Sequence, residues 1–221
     1  MIEKNTILFD LDGTLVDSIL DIKHSIDTML LRYNLPEIEL VDLRNIIGRG
    51  FPTTVKESLD LFISDPKRAR LLKEDAIKIT LNAYSENHGK HTQIYPHVRK
   101  TLDHLKLSQF KMAVVTNKEE KHALSLLKHL DLLKYFPVVV GGDSTPYYKP
   151  HKAPIEKALS LLKSSKNSAI MIGDSHTDIQ AAKNANIQAI CVNYGYAGNI
   201  PLEEKTIECF SNLIKLIEFR S

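Results

Sequence analysis

The sequence predicts an α/β fold: a Rossmann-like parallel sheet core with a small helical cap inserted after the first strand. Two observations lead to this prediction. Continuous apolar runs alternate with stretches of crossover-helix length over 112–192, a pattern typical of parallel strands buried on both faces. The interval 17–92 shows helical apolar spacing and no strand-like run. We therefore predict a core domain over 1–16 and 93–221, and a helical cap domain over 17–92.

Five apolar runs are predicted to be the strands of the sheet. Each is followed by a polar residue or a glycine, and open α/β sheets bind ligands at the carboxyl ends of their strands. The residues that follow the runs are therefore the first candidates for a functional site. The runs are 7–9, 112–115, 138–140, 169–172 and 189–192.

Two amphipathic patterns dominate the predicted cap domain. Apolar residues recur every three or four positions over 22–33 and again over 66–87, the spacing of a helix with one buried face. Pro36 and the stretch 48–52, which holds two glycines and a proline, predict breaks between helices. We therefore expect several helices in this interval and no part of the sheet.

The composition is that of an ordinary globular protein. The 221 residues are 43% hydrophobic and 25% charged, with a formal net charge of +2, which argues against a disordered chain. No block of five like charges and no apolar stretch of 18 residues occurs, so we expect no nucleic-acid partner and no membrane partner. Two cysteines without a metal-type spacing favour a cytoplasmic protein. The sequence predicts no particular oligomeric state.

Asp10 and Asp12 follow the first predicted strand. In an extended chain, residues i and i+2 point to the same face, so the two carboxylates are expected to lie close together. Close like charges are unfavourable unless a cation or a proton compensates them. The pair belongs to the stretch 9–18, which reads Phe-Asp-Leu-Asp-Gly-Thr-Leu-Val-Asp-Ser. This stretch resembles the first motif of the haloacid dehalogenase superfamily of phosphohydrolases.

Counterparts of the other motifs of that superfamily occur in the expected order. Thr116 and Asn117 stand where the family binds phosphate, Lys149 stands where it places a lysine, and the stretch 173–178 resembles its acidic metal motif. Each signal is weak alone, because a Thr or an Asp after a strand commonly caps a helix. Their order, each at a predicted strand end, makes the resemblance specific over essentially the whole chain.

The resemblance implies a Mg²⁺-dependent phosphatase that works through an aspartyl-phosphate intermediate. It implies that Asp10 is the nucleophile, that Asp12 is the general acid and base, and that Lys149 neutralises the nucleophile and the phosphoryl group. The implied metal ligands are the Asp10 carboxylate, the Asp12 carbonyl and the Asp174 carboxylate. Asp178 is expected to bind Lys149 or a metal-bound water, and not the metal itself.

The resemblance also implies how the substrate is bound. Gly13, Thr14, Thr116 and Asn117 are expected to contact the phosphoryl group. The helical cap is expected to act as a lid that excludes water from the site. Arg49, which lies between two glycines, is the candidate lid residue, since a guanidinium can bind a carboxylate in a bidentate manner. The alternative is that Arg49 is a solvated loop residue.

Two further stretches narrow the expected substrate. The stretches 141–151 and 194–196 resemble the phosphoglycolate-hydrolysing branch of the superfamily, which implies 2-phosphoglycolate among small phosphorylated metabolites. Relatives acting on sugar phosphates or pyrophosphate, and phosphomutases of the β-phosphoglucomutase type, share much of the pattern and stay open as alternatives. A regulatory protein that binds a phosphorylated ligand without turnover is a third alternative, although such a protein usually loses one of the acidic or basic residues.

Overall fold

A computed structural model describes residues 4–196 and 206–218. The described residues form two compact units. One takes its described residues from Met1–Asp17 and Ile94–Ser221 and carries the main sheet, and we call it the sheet unit. The other, Ser18–Gln93, is the helical unit. The limits differ by one residue at each junction from those predicted for the core and cap domains.

The main sheet is parallel and has β1 near its centre. Six strands form it in the order β5-β4-β1-β6-β7-β8, while β2 and β3 form a separate two-stranded sheet. Thr6 of β1 is level with Lys111 of β4 on one side and with Ala169 of β6 on the other. The strands are β1 (Thr6–Phe9), β2 (Val16–Asp17), β3 (Gln93–Ile94), β4 (Lys111–Val115), β5 (Val138–Val140), β6 (Ala169–Gly173), β7 (Gln188–Val192) and β8 (Thr206–Ile207).

The helical unit contains the helices α1 (Ile19–Arg32), α2 (Leu40–Ile46), α3 (Phe51–Phe62) and α4 (Pro66–Asn87). Its helices follow from apolar spacing and from their first residues. Ile22, Ile26 and Met29 are buried on one face of α1, as the three-to-four spacing predicts. At the start of α4, the Asp65 side chain accepts a hydrogen bond from the main-chain N–H of Lys67 at 3.0 Å, and Pro66 begins the helix without losing a bond.

One predicted break is shorter than expected. Gly48 and Gly50 have positive φ angles of 99° and 82° and lie outside the helices, but α3 already begins at Phe51, with Pro52 in its first turn. A proline in the first turn lacks an N–H that would have no partner in the helix anyway. The break between the helices therefore ends at Gly50.

The sheet unit adds the helices α5 (Val98–Leu107), α6 (Glu120–His129), α7 (Ala153–Leu161), α8 (His176–Asn184) and α9 (Asn212–Glu218). These helices cover the two faces of the sheet. Ile7 and Phe9 pack with α5, α6 and α9 on one face, and Leu8 packs with α7 and α8 on the other. This alternation is what period-two side chains on a doubly covered strand require.

The predicted fold class is confirmed: a Rossmann-like parallel sheet whose chain leaves after the first strands to form a helical insert. All five predicted strands are present. Within the described residues, no helix has the length and apolarity needed to cross a bilayer. The cytoplasmic location stays a prediction.

Candidate active site

Four strand ends of the main sheet carry the polar residues predicted from the sequence. Asp10 and Asp12 follow β1, the stretch 116–118 follows β4, the loop with Lys149 follows β5, and Asp174 follows β6. Since β4, β1 and β6 are parallel neighbours, their carboxyl ends meet at one edge of the sheet. The sheet unit alone therefore assembles these side chains into one site.

Lys149 lies between two of the carboxylates. Its Nζ is 3.0 Å from Oδ1 of Asp10 and 2.6 Å from Oδ1 of Asp178, and its side chain is 1% exposed. Burial opposes the charged form of Lys149, but the two carboxylates outweigh that effect and raise the pKa of Lys149 above its ordinary value. The ammonium group is therefore charged across the physiological range.

Asp10 is held through one of its two oxygens. Oδ1 accepts hydrogen bonds from the main-chain N–H of Leu11 at 2.8 Å and from Lys149. Burial, followed by the charge of Asp178, raises the pKa of Asp10 from 3.8 to about 7, although Lys149 and Leu11 act in the opposite direction. The protein therefore keeps this carboxylate in an environment that compensates its charge incompletely.

Asp174 is enclosed by main chain. Its Oδ2 accepts a hydrogen bond from the N–H of Tyr196 at 2.8 Å, and its Oδ1 lies 3.4 Å from Oγ1 of Thr14. Gly13 has a φ of 83°, and a Cβ there would come within 2.3 Å of Oδ2 of Asp174. Glycine at position 13 therefore permits both the left-handed turn and the close approach of the carboxylate. Burial, then the charges of Asp178 and Asp10, raises the pKa of Asp174 well above its ordinary range.

The start of α8 orients Asp178. The main-chain N–H and the hydroxyl of Ser175 donate to Oδ2 of Asp178 at 3.1 and 2.7 Å, forming a capping box with the helix start. The other oxygen, Oδ1, accepts from Lys149. Both oxygens of Asp178 are thus engaged, one by the helix end and one by the lysine, so Asp178 orients the lysine.

The three carboxylates form a cluster that suits a divalent cation. Asp10, Asp174 and Asp178 are all buried, and each has an oxygen within 4.8 Å of the others. Lys149 supplies one positive charge for the three carboxyl groups. Carboxylate oxygens are the hard ligands that Mg²⁺ and Ca²⁺ prefer, and buried charge without compensation is costly. The residues present therefore fit a divalent metal ion.

Thr116 and Asn117 directly follow β4, and Asn117 contacts the Lys149 loop. The side-chain amide of Asn117 donates to the carbonyl of Lys149 at 3.0 Å, and its oxygen accepts from the N–H of Lys149 at 2.8 Å. The buried hydroxyl of Thr116 accepts from the N–H of Lys118 at 3.2 Å. Asn117 therefore anchors the main chain that carries the lysine, a contact that the sequence did not reveal.

Lys118 was not singled out from the sequence, yet its side chain is 3% exposed and contacts Asp12. Its Nζ donates to both oxygens of the Asp12 carboxylate, at 2.9 Å to Oδ1 and 2.7 Å to Oδ2. The available signal was its position: a lysine directly after a threonine and an asparagine, at the end of the strand beside β1.

Arg49 belongs to the helical unit. Its Nη2 lies 2.5 Å from Oε2 of Glu57 on α3, and its side chain is 46% exposed. The guanidinium is therefore oriented by a partner within its own unit. Its predicted role toward a substrate carboxylate stays a prediction.

A family model for haloacid dehalogenase-like hydrolases matches residues 7–192, most of the chain. The chain belongs to this family. The matched region contains every acidic and basic residue of the site described above, from Asp10 to Asp178.

Proteins from several bacteria are similar to this chain over nearly its whole length. A phosphoglycolate phosphatase of Nitrosococcus oceani is 35% identical over 216 residues, which are 97% of this chain and 94% of that protein. A phosphoglycolate phosphatase of Psychrobacter arcticus is 32% identical over 220 residues, which are 98% of this chain and 96% of that protein.

A crystal structure from Haemophilus somnus 129pt, described as a predicted phosphoglycolate phosphatase, is also similar to this chain. It has a TM-score of 0.86 and 32% identity, and the match covers 98% of this chain and 99% of that one. Family membership and these relatives make the chain a hydrolase of the phosphatase class, acting on small phosphorylated substrates. This result confirms the resemblance noted in the sequence.

Proposed function

We propose that this haloacid dehalogenase-family phosphatase hydrolyses 2-phosphoglycolate to glycolate and phosphate, with Mg²⁺ and through an aspartyl phosphate formed on Asp10. The observation that carries the reaction class is the buried cluster at the strand ends. Three carboxylates and one lysine meet where the family motifs stand. The names of the relatives support the choice of substrate.

In the first step, an oxygen of Asp10 attacks phosphorus and the bond from phosphorus to the ester oxygen breaks. Oδ1 of Asp10 accepts from Leu11 and Lys149, so the carboxylate is held in one orientation. Among the described residues, Oδ2 has no hydrogen-bond donor, and it is the oxygen left to attack. Splitting hydrolysis at a covalent intermediate makes each of the two steps easier than direct attack by water.

Asp12 provides the proton that the leaving alkoxide needs. In the second step it removes a proton from the water that attacks the phosphorus of the aspartyl phosphate, and the Asp10–phosphorus bond breaks. One carboxyl group serves both steps, because the proton given in the first is recovered in the second. Asp12 lies two residues after the nucleophile, on the same loop.

Mg²⁺ would be held by the carboxylates of Asp10 and Asp174 and by the Asp12 carbonyl, with Asp178 supporting Lys149. When bound, the ion offsets negative charge on the carboxylates and on the phosphoryl oxygens. Lys149 adds a fixed positive charge beside Asp10, and Thr116 offers a buried hydroxyl. Such charges, fixed before the substrate arrives, favour the transition state over the ground state. Direct contacts from Gly13, Thr14 and Asn117 to the phosphoryl group stay predictions.

The carboxylate of 2-phosphoglycolate is the feature that distinguishes it from other small esters. A guanidinium is the side chain best suited to bind a carboxylate through two parallel hydrogen bonds. We propose Arg49 for this role and the helical unit for that of a lid. When substrate binds, the Arg49 guanidinium would then have to leave Glu57, or contact Glu57 and the substrate carboxylate together.

A comparison of two esters of equal size tests the substrate. The specificity constant for 2-phosphoglycolate should exceed that for 2-hydroxyethyl phosphate, which lacks the carboxylate, and those for glycerol and hexose phosphates. Arg49→Ala should lower the value for 2-phosphoglycolate by roughly 10²-fold, the loss of a charged hydrogen-bonded pair, and leave 2-hydroxyethyl phosphate little changed. The exposed Arg44 of α2 provides the control, Arg44→Ala, which should change neither. A clear preference for a hexose phosphate would overturn the proposed substrate.

A further inference from the structure

The contact between Lys118 and Asp12 joins two loops of the site that are far apart in sequence. Lys118 follows β4 and Asp12 follows β1, and these strands are neighbours in the sheet. The ammonium group donates to both carboxylate oxygens, at 2.9 and 2.7 Å. With side chains 3% and 15% exposed, the pair is screened by water much less than an ordinary surface pair.

The lysine is itself fixed by its main chain. Its N–H donates to Oγ1 of Thr116 at 3.2 Å, and its carbonyl accepts from the N–H of Gly142 at 2.8 Å. The main chain of Lys118 is therefore fixed by Thr116, directly after β4, and by Gly142 in the loop after β5. This rigidity is what a residue needs in order to orient another side chain.

The site thus contains two buried lysines with different partners. Lys149 contacts Asp10 and Asp178, which belong to the acidic cluster. Lys118 contacts Asp12, whose side chain lies outside that cluster of described carboxylates. The two hydrogen bonds to Asp12 therefore distinguish Lys118 from Lys149.

We propose that Lys118 is a positioning residue that holds the Asp12 carboxyl group in the orientation needed for both proton transfers. The inference rests on the proposed role of Asp12 as acid and base. A carboxyl group on a free side chain rotates among several rotamers, and misplacement by about 1 Å can cost roughly 10²-fold in rate. An ammonium group that contacts both oxygens removes that freedom. When one oxygen carries a proton, the other can still accept from Nζ.

Leaving-group dependence distinguishes this role from a structural one. An alkoxide needs a proton in order to leave, whereas p-nitrophenolate does not. Lys118→Met should lower kcat for 2-phosphoglycolate by about 10²-fold with KM changed less than about threefold. With p-nitrophenyl phosphate it should give a burst of nitrophenol of about one equivalent, followed by slow turnover, because the second step still needs an oriented base. Lys118→Arg should recover part of the lost rate.

A double-mutant cycle tests whether the lysine acts through the aspartate. Asp12→Asn should show the same burst, and the double variant Asp12→Asn/Lys118→Met should be no slower than Asp12→Asn alone. Additive losses in the double variant, or a large rise in KM for both substrates, would overturn the proposal in favour of direct substrate binding. The exposed Lys121 on α6 gives the matched control, since Lys121→Met should retain full activity.

Thermal unfolding of each variant shows whether it folds. If Lys118→Met does not fold, Lys118→Arg carries the test: partial activity with normal KM supports positioning, and full loss with raised KM overturns it. The Asp12→Asn variant tests the proposed function separately. If Asp12→Asn hydrolyses 2-phosphoglycolate normally, the role of Asp12 is wrong. If Asp12→Asn behaves as expected and Lys118→Met is fully active, only the inference about Lys118 is wrong.

Discussion

Asp21 in the helical unit and Asp10 in the sheet unit are both buried carboxylates, but their surroundings differ. Asp21 on α1 accepts four hydrogen bonds from the 89–92 loop, three from main-chain N–H groups and one from a hydroxyl, at 2.6 to 3.1 Å. Asp10 shares one lysine with Asp178 and lies close to Asp174.

The difference separates a carboxylate whose hydrogen bonds are supplied by the fold from one whose charge is compensated incompletely. Buried polar groups with all their hydrogen bonds made strengthen a structure. A cluster of like charges with too few counter-charges destabilises it unless a cation or a proton arrives. Perturbed groups of this second kind concentrate at functional sites. The two environments therefore predict opposite responses to substitution.

The largest expected effect is the loss of turnover when Asp10 is changed. Asp10→Asn should lower kcat by at least about 10⁴-fold on every phosphate ester, because no nucleophile remains. Its thermal stability should be unchanged or higher, since one of three mutually repelling carboxylates becomes neutral. Asp21→Asn, assayed where it is folded, should instead keep its activity per folded molecule. An active Asp10→Asn enzyme would contradict the assignment of the nucleophile.

Removal of divalent cations should act on the cluster and not on Asp21. Chelation with EDTA should abolish turnover, and Mg²⁺ should restore it and raise the unfolding temperature. Asp174→Ala should increase the Mg²⁺ concentration needed for half-maximal activity by at least about tenfold. Asp42→Ala on α2 is a control that should leave the Mg²⁺ titration unchanged. Full activity in chelated buffer would show that the cluster needs no metal.

The raised pKa of Asp10 makes stability depend on pH. A group whose folded pKa is higher than its unfolded value stabilises the fold below the unfolded pKa, and that contribution is lost as pH rises through the folded pKa. Without divalent cations, the protein should lose stability between about pH 4 and pH 7.

Mg²⁺ should reverse this loss, because the cation favours the ionised carboxylate. The rise in unfolding temperature caused by Mg²⁺ should therefore be greater at pH 8 than at pH 5.5, as calorimetry with and without the ion can measure. An equal Mg²⁺ effect at both values would indicate that no proton is displaced from the cluster.

The smallest expected effect concerns Asp21 alone. Asp21→Ala leaves several buried donors of the 89–92 loop without their acceptor, and should lower the free energy of unfolding by about 2–3 kcal/mol. Amide hydrogen exchange at Gly89, His91 and Thr92 should become faster. Asp60→Ala is the control in the same unit: its exposed pair with Lys56 should contribute little to stability, because water screens it. Equal losses for Asp21→Ala and Asp60→Ala would remove the contrast between the two carboxylates.

The comparison also shows which features were predictable from the sequence. The pair Asp10 and Asp12 was predicted as a site because both residues stand in one short motif after an apolar run. Asp21 gave no such signal, because its partners lie about 70 residues away in the 89–92 loop. A helical aspartate looks the same in a sequence whether it is solvated or fully hydrogen-bonded.

The shortest elements of the fold were not predicted for a related reason. β2, β3 and β8 have two residues each, too few to show alternation of apolar and polar side chains. Their strand geometry comes from the neighbour with which each one pairs. α4, with 22 residues, was predicted correctly over 66–87 because its spacing repeats over several turns.

The sequence by itself determined the family, the five principal strands and the acidic motifs, because these depend on local patterns and on their order along the chain. The resemblance also led us to expect Lys149 beside Asp10 and Asp178, where the structure places it. The tertiary structure alone decided the partner of Lys118, which contacts Asp12, 106 residues away. The register and order of the parallel strands set the distances of the two lysines to the carboxylates, and charge interactions depend on those distances.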